Sequence, residues 1–298
     1  MIQQFLRIIF FNTDTCSFPI FDFMPETKAS VTNIITEKHL IFSDYLKREV
    51  TFDAYLPLSG LQSQPCSLLL INDGQDLPQM PFDEIFGQML EHEIIDPVLC
   101  VGVYCGTDRR MEYGVVAQKD YKGRGAKAGN YEKFILRELI PFLQMKYPFA
   151  SAGKKSFAGF SLGALSALDI VWRNPAIFEK AGCFSGSFWW RSKGYDDGYN
   201  DETDRIMHRQ ISKGKFHPGL KFFFECGAMD ELQDRNNNGI IDSIDDTMDI
   251  IKELSKKGYT TNDIHYLEIP DGTHDVGTWA RAIPLFLQWG WPGPASGK

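Results

Sequence analysis

The chain has 298 residues, 43% of them hydrophobic, and its 39 acidic residues against 31 basic ones give a formal net charge of −8. This length is sufficient for the core of one large domain, while the acidic balance and the lack of long basic runs exclude nucleic acid as the expected partner. The first apolar run, residues 5–11, is too short for a signal-peptide core or a membrane span, so we expect a soluble, cytoplasmic protein with no membrane partner.

The N-terminal part of the chain divides into an extension at residues 1–30, to which no role is assigned, and the start of the folded domain. Residues 31–43 and 48–57 are rich in β-branched and aromatic side chains, which predicts two antiparallel strands. We treat residues 31–298 as a single domain.

Six repeats of an apolar run followed by an amphipathic stretch occupy the rest of the chain. The apolar runs predict strands at residues 66–73, 97–105, 155–158, 180–187, 220–227 and 263–270. The amphipathic stretches predict helices at residues 82–94, 130–148, 162–174, 201–213, 246–258 and 276–289. This alternation indicates an α/β fold, with a mostly parallel central sheet that is covered by helices on both faces.

Residues 188–219 interrupt the pattern with a polar, glycine-rich and aromatic segment. Such a segment suits a long loop and a helix folded over one end of the sheet, and we interpret it as a lid or pocket wall. Trp189 and Trp190 could line an acyl pocket or form the core of this lid.

A GxSxG pattern at residues 159–163 places Ser161 between a predicted strand and a predicted helix. This is the setting of a nucleophile elbow, in which the serine adopts a strained backbone conformation and its neighbours must be small. The first amides of the following helix would then face the reaction centre and stabilise an oxyanion. The alternative is a packing serine at a close crossing of strand and helix.

A nucleophilic serine needs a neutral histidine to take its proton, and that imidazole needs a carboxylate. Asp230 follows the predicted strand at 220–227, and His274 follows the last strand, in the order serine, acid, histidine that this type of fold uses. Glu231, Asp234 and Asp271 compete with Asp230 for the acid. Five other histidines compete with His274, but the placement of His92, His208, His217 and His265 favours His274.

Arg109 and Arg110 follow a strand end, so they lie near the rim of the predicted site. Either one could hold an anionic group of a substrate. We favour an internal ion pair with Glu112 that braces the loop, because charges in loops usually have a structural role.

Residues 234–245, DRNNNGIIDSID, have the spacing of an EF-hand-type calcium loop, and most resemble its dockerin variant. Gly239 at position 6 allows the sharp bend. The predicted ligands are the side chains of Asp234, Asn236, Asn238, Asp242 and Asp245 and the carbonyl of Ile240. The alternative is an Asn-Gly turn with aspartates that cap a helix near Thr247. We expect a structural calcium that holds the acid loop.

Four stretches together, residues 68–76, 101–114, 157–168 and 271–289, resemble the putative-esterase branch of the α/β-hydrolases. This branch includes enterochelin esterase-like hydrolases, esterase D and the antigen 85 acyltransferases. The resemblance covers residues 32–291 and implies an α/β-hydrolase fold.

Carried over by position, the resemblance implies Ser161 as nucleophile, His274 as general base and Asp230 as its carboxylate. It also implies an oxyanion hole from the backbone amides of Leu162 and Gln75. Ala164 departs from the glycine of many relatives, and the insertion after Asp230 is unusual, which affects the geometry expected for the acid loop.

The expected function is therefore that of a serine esterase, which hydrolyses a small-molecule carboxylic ester through an acyl-enzyme and needs no cofactor for catalysis. An acyltransferase of the same fold is one alternative, because the acyl group could pass to an alcohol instead of water. A non-catalytic, hydrolase-like binding module is another.

Overall fold

A computed structural model describes residues 34–57, 66–150 and 153–294. The predicted extension at residues 1–30, and Cys16 within it, lie outside these ranges. The other five cysteines are free thiols, as predicted. None of the helices in the described ranges is long and apolar enough to cross a bilayer.

Eight strands form one sheet in the order β1-β2-β4-β3-β5-β6-β7-β8. They are β1 (Ile34–Ser43), β2 (Arg48–Pro57), β3 (Ser67–Asn72), β4 (Val98–Val103), β5 (Lys155–Phe160), β6 (Phe178–Phe184), β7 (Lys221–Met229) and β8 (Ile264–Thr273). The strand β2 is antiparallel to both of its neighbours, and all other pairs are parallel. The predicted α/β-hydrolase fold, with antiparallel N-terminal strands and a mostly parallel sheet, is confirmed.

The helices pack on both faces of this sheet. They are α1 (Phe82–Glu91), α2 (Arg109–Glu112), α3 (Ala128–Phe134), α4 (Ile140–Lys146), α5 (Leu162–Arg173), α6 (Asp201–Asp204), α7 (Ile206–Lys213), α8 (Asp242–Lys257) and α9 (Val276–Gly290). A π-helical turn at Ile135–Leu139 joins α3 to α4, and short 3₁₀ turns lie at Gly74–Gln79, Pro148–Ala150 and Tyr195–Asp197.

The predicted helix at 82–94 ends at Glu91, the one at 130–148 contains the π-helical turn, and two others differ more from the structure. The helix expected at 246–258 begins four residues earlier, so Asp242 and Asp245 lie in its first turn, where carboxylates complement the helix dipole. The helix expected at 201–213 is divided into α6 and α7, because Arg205 adopts an extended backbone with φ −73° and ψ 113°. This bend pairs Arg205 with Arg191 in an isolated antiparallel bridge.

The central strands are buried on both faces, which explains their continuous apolar runs. One core cluster includes Phe157 and lies on the side of α5, while a second includes Phe223 and lies on the side of α1 and α9. The carboxyl ends of β5, β7 and β8 are thereby held rigidly at one edge of the sheet, where α/β folds of this kind place their ligands.

Replacing Phe157 by alanine should lower the free energy of unfolding by about 3–5 kcal/mol, because the ring is fully buried and its removal leaves a cavity. Urea denaturation measures the change. Phe42→Ala is the control, since that ring is 62% exposed on β1 and its loss should change stability by less than about 0.5 kcal/mol. Equal effects of the two variants would contradict the assignment of the core.

Candidate active site

Ser161 stands between the last residue of β5 and the first residue of α5, as predicted for a nucleophile elbow. Its backbone has φ 55° and ψ −119°, a strained conformation for a residue with a side chain. The Ser161 N–H donates to the Phe184 carbonyl at 2.8 Å, and the Ser161 carbonyl accepts from the Ser187 N–H at 3.1 Å. These bonds to β6 and the loop after it hold the strained turn in place.

The glycines of the elbow leave room for a close approach of β5 and α5. A Cβ atom on Gly159 would lie 2.6 Å from the carbonyl carbon of Gly163. The Asn72 side chain, at the end of β3, donates to the Gly163 carbonyl at 2.8 Å and accepts from the Tyr131 hydroxyl at 2.5 Å. The start of α5 is thus fixed from two sides.

His274 occupies the single position between β8 and the N-cap of α9. Its Nε2 lies 2.9 Å from Ser161 Oγ, although 113 residues separate the two in the chain. The ring meets Trp279 edge-to-face at 5.4 Å, and the Trp279 indole N–H donates to Ser185 Oγ at 2.9 Å. The position of the imidazole is therefore set by α9 and by the end of β6.

Asp230 follows β7 and turns its carboxylate under the His274 ring. The distance from Asp230 Oδ2 to His274 Nδ1 is 3.8 Å, which is within ion-pair range but too long for a hydrogen bond. The carboxylate is buried, with 1% of the side chain exposed, and neither oxygen has a hydrogen-bond partner in the described part of the chain.

The competing acids lie in other environments. Asp271 binds Arg281 at 2.7 Å, while the oxygens of Asp234 accept the backbone N–H groups of Asn238 and Gly239. The pKa of Glu231 is raised by burial. Among the described carboxylates that the sequence left open, only Asp230 comes within 4.0 Å of a His274 nitrogen.

Two backbone amides are candidates for the oxyanion hole, those of Leu162 and Gln75. Leu162 is the first residue of α5, and Gln75 lies in the 3₁₀ turn after β3. Within the described residues, neither N–H donates to a protein acceptor. Both donors are therefore available to a ligand, while the Gln75 side chain is anchored by accepting the Cys105 N–H at 3.1 Å.

The predicted ion pair of Arg109 or Arg110 with Glu112 is wrong. Glu112 binds Arg48 on β2 through two hydrogen bonds of 2.8 and 2.6 Å, whereas Arg109 forms two bonds of 2.7 Å with Asp73. Asp73 directly precedes the 3₁₀ turn of Gln75, with a left-handed φ of 60°. Arg109 therefore braces the candidate oxyanion loop, a role that its sequence neighbours did not indicate.

The aromatic segment at residues 188–219 is tied to the acid loop by ion pairs. Arg235 contacts Asp201 of α6 at 2.9 Å and the fully buried Asp246 of α8 at 2.6 Å. Arg205, from the other side, contacts the same Asp246 oxygen at 2.8 Å. Trp190 within the segment is fully buried, which matches the interpretation of this ring as part of a packed core.

The predicted calcium loop has four of its side chains close together. Asp245 Oδ2 lies 2.9 Å from Asn236 Nδ2 and 2.7 Å from Asn238 Nδ2, and Asp234 caps the turn as described above. Gly239 has a left-handed φ of 86°. In the described residues, no three acidic, histidine or cysteine side chains form a metal cluster, since this group consists of two carboxylates and two amides.

Asp242, at position 9 of this loop, is turned away from the other predicted ligands. Its Oδ1 accepts the Arg235 N–H at 2.9 Å and lies 3.2 Å from the guanidinium. Position 9 of an EF-hand loop often acts through a water molecule, so a direct role for Asp242 is not required. The side-chain oxygens of Asp234, Asn236 and Asn238 accept backbone N–H groups of the loop, and carboxylate and amide oxygens are the ligand types that calcium prefers.

Residues 43–288 match the family described as Putative esterase. The chain belongs to this family. The predicted family is thus confirmed.

One curated relative is the uncharacterized protein YjcH of Bacillus subtilis (strain 168). It is 27% identical over 149 residues, which are 49% of this chain and 59% of the relative. The esterase-family chain therefore aligns with little more than half of that protein.

Two solved structures share the fold at low identity. The enterobactin esterase FES from Shigella flexneri superposes with a TM-score of 0.67 and 19% identity, over 86% of this chain and 58% of that one. The siderophore hydrolase EstA from Aspergillus nidulans gives a TM-score of 0.63 and 16% identity, over 90% and 98%.

Substituting Gly159 by alanine should disrupt the elbow, because the new Cβ would overlap the backbone of α5. We expect a loss of about 3 kcal/mol of stability from overpacking, and a loss of about 100-fold in any activity that depends on Ser161, since the reacting group is displaced. Thermal unfolding and initial rates measure the two effects.

Gly129→Ala is the matched control for the elbow variant. Gly129 lies in α3, and a Cβ there would meet only Val116 at 3.6 Å, so this variant should keep full stability and activity. An active, stable Gly159→Ala variant would contradict the described crossing of β5 and α5.

Proposed function

We propose that this esterase-family protein is a serine hydrolase that cleaves carboxylic esters of small molecules through an acyl-enzyme. The observation that carries the proposal is the 2.9 Å distance between Ser161 Oγ and His274 Nε2, because a serine hydroxyl becomes a nucleophile only beside a base. Family membership and the buried carboxylate of Asp230 on the far side of the imidazole support it.

In the first half-reaction, Ser161 Oγ attacks the carbonyl carbon of the ester and its proton passes to His274 Nε2. The Leu162 and Gln75 amides, unbonded within the described protein, would donate to the oxyanion of the tetrahedral intermediate. The Asp230 carboxylate stabilises the imidazolium and fixes its tautomer. When the intermediate collapses, His274 returns the proton to the oxygen of the leaving alcohol, and the acyl group remains on Ser161.

In the second half-reaction, His274 takes a proton from water, and the resulting hydroxide equivalent attacks the acyl carbon. Collapse of the second intermediate releases the carboxylic acid and returns the proton to Ser161. The His274 side chain is 39% exposed, so water has access to the base, and this favours hydrolysis over transfer to an alcohol. The contact between Ser161 Oγ and His274 Nε2 likewise favours an enzyme over a non-catalytic binding module.

The relatives suggest where to look for the substrate. Two structural neighbours are named for the hydrolysis of enterobactin or of siderophores. We therefore propose to compare enterobactin with short aliphatic p-nitrophenyl esters, under identical conditions, as the first substrate panel.

Ser161→Ala should lower kcat for p-nitrophenyl esters by about 10⁴-fold or more, because the nucleophile is removed while the backbone can keep its turn. Steady-state rates on the purified protein measure the effect. Ser166→Ala is the control, since this serine is buried within α5, the helix that follows Ser161, and makes none of the contacts described for the site. An alanine variant at 161 that turned over at the wild-type rate would refute the proposal.

We further propose that residues 234–245 bind one calcium ion through Asp234, Asn236, Asn238, Asp245 and the Ile240 carbonyl, with Asp242 acting through water. The role of the ion would be structural, because the loop begins four residues after Asp230 and Arg235 within it contacts both α6 and α8. Its charge would balance the carboxylates of the loop and hold the acid segment.

Calcium should raise the Tm and a chelator should lower it. At a free calcium concentration of about 100 times the Kd, the stabilisation is about 2.7 kcal/mol. Asp234→Ala should abolish the shift, whereas Asp44→Ala, an exposed acid outside the loop, should leave it unchanged. The absence of any shift at millimolar calcium would contradict the proposed calcium site.

A further inference from the structure

A second buried carboxyl group lies next to the candidate triad and has no part in the mechanism described above. Glu225, on β7, is fully buried. Neither of its side-chain oxygens has a hydrogen-bond partner in the described part of the chain, and the same is true of both oxygens of Asp230. Two adjacent carboxyl groups with four unsatisfied oxygens are costly unless one of them serves as a donor to the other.

The backbone of β7 places the two groups on the same face of the sheet. Alternate residues of a strand point to the same side, so the Glu225 side chain and the Cβ position of residue 227 share a face. That position is empty because residue 227 is glycine, and Asp230 Oδ1 lies 2.5 Å from where its Cβ would be. The Asp230 carboxylate thus fills the side-chain space directly next to Glu225.

Burial and the charge of Asp230 favour the neutral form of Glu225, and they outweigh Arg281 and the nearby N–H and hydroxyl of Ser185, which favour the charged form. The titratable and charged groups that act on Glu225 are the Asp230 carboxylate and, from α9, Arg281. Of these, only Arg281 is a cation, and its guanidinium is bound to Asp271 at 2.7 Å. Burial, followed by the charge of Asp230, raises the pKa of Glu225 to about 8.

We propose that Glu225 is a positioning residue of the triad: its neutral carboxyl donates the hydrogen bond that Asp230 lacks, directly or through one enclosed water, and orients Asp230 towards His274. This inference rests on the proposed hydrolase function. A protonated carboxyl has one O–H donor, and the Asp230 carboxylate accepts from no other protein group described, so the two groups complement each other.

Ionisation of Glu225 should impair the enzyme. Above about pH 8 it loses its donor and becomes a second negative charge beside Asp230 in a site that excludes water. The added charge would also stabilise the imidazolium of His274. We expect the misalignment of Asp230 to have the larger effect, because loss of the correct histidine tautomer in a Ser-His-Asp triad costs about 10⁴-fold in kcat.

The test compares kcat/KM for a p-nitrophenyl ester from pH 5.5 to 10 in the wild type, Glu225→Gln and Glu225→Ala. The wild type should lose activity with an apparent pKa near 8. The glutamine variant, whose amide donates but cannot ionise, should show no such decline. The alanine variant should lose about 10- to 100-fold at pH 7, the worth of one hydrogen bond to a charged group, and glutamine should restore most of that loss.

Asp169→Asn is the matched control, because Asp169 is a buried carboxyl on α5 that binds the Val116 N–H and Gln210, and it should keep the alkaline decline of the wild type. A Glu225→Gln variant with that same decline, or a Glu225→Ala variant with wild-type rates, would overturn the inference. If Ser161→Ala is inactive in the same assay, either of these outcomes would contradict the inference about Glu225 but not the proposed hydrolase function.

A second measurement does not depend on activity. The folded protein keeps a proton on Glu225 that the unfolded chain releases above pH 4.5, so the stability that this proton contributes is lost as the pH rises from 4.5 to about 8. The Tm of the wild type should therefore fall over this range relative to that of Glu225→Gln. Parallel Tm profiles for the two proteins would also overturn the inference, even if Glu225→Ala failed to fold.

Discussion

The strained backbone of Ser161 is the constraint on which the rest of the site depends. A residue with φ 55° and ψ −119° persists only if its surroundings hold it there, and here β6, Ser187, Asn72 and the glycines of the elbow all do so. The strain directs the hydroxyl away from the sheet and towards the loop after β8. It also exposes the first amides of α5 on the same side, so the proposed nucleophile and a candidate oxyanion donor arise from one turn.

The part of the site around Asp230 depends on the electrostatics of buried carboxyl groups and not on backbone strain. Asp246 and Glu225 are both buried carboxyl groups, but their environments differ: Asp246 contacts two arginines, whereas burial raises the pKa of Glu225. Buried ion pairs add little net stability but require a specific geometry. Arg205 and Arg235 thus fix the position of the aromatic segment at residues 188–219 relative to α8. A calcium ion bound by residues 234–245 would stabilise the same contact between these two parts of the chain.

Most of the fold and the convergence of Ser161, Asp230 and His274 could be anticipated from the sequence, because both follow from local rules. Apolar runs identify the strands, and catalytic groups in such sheets follow strand ends. The partners of the arginines could not be anticipated. Arg109 is three residues from Glu112 but binds Asp73, while Glu112 binds Arg48, since β2 and β3 lie beside this loop only in the folded chain. The role proposed for Glu225 could not be anticipated either, because in the sequence Glu225 is a single acid within an apolar strand.

The most direct test of the proposed pairing of Ser161 with His274 is to locate the reactive group chemically. The purified protein would be treated with one equivalent of a fluorophosphonate, digested and analysed by mass spectrometry, with a His274→Ala variant in parallel. We predict a single adduct on the peptide that carries Ser161, and strongly reduced labelling without the imidazole. An adduct on another residue, or equal labelling without His274, would contradict the claim that these two side chains act together.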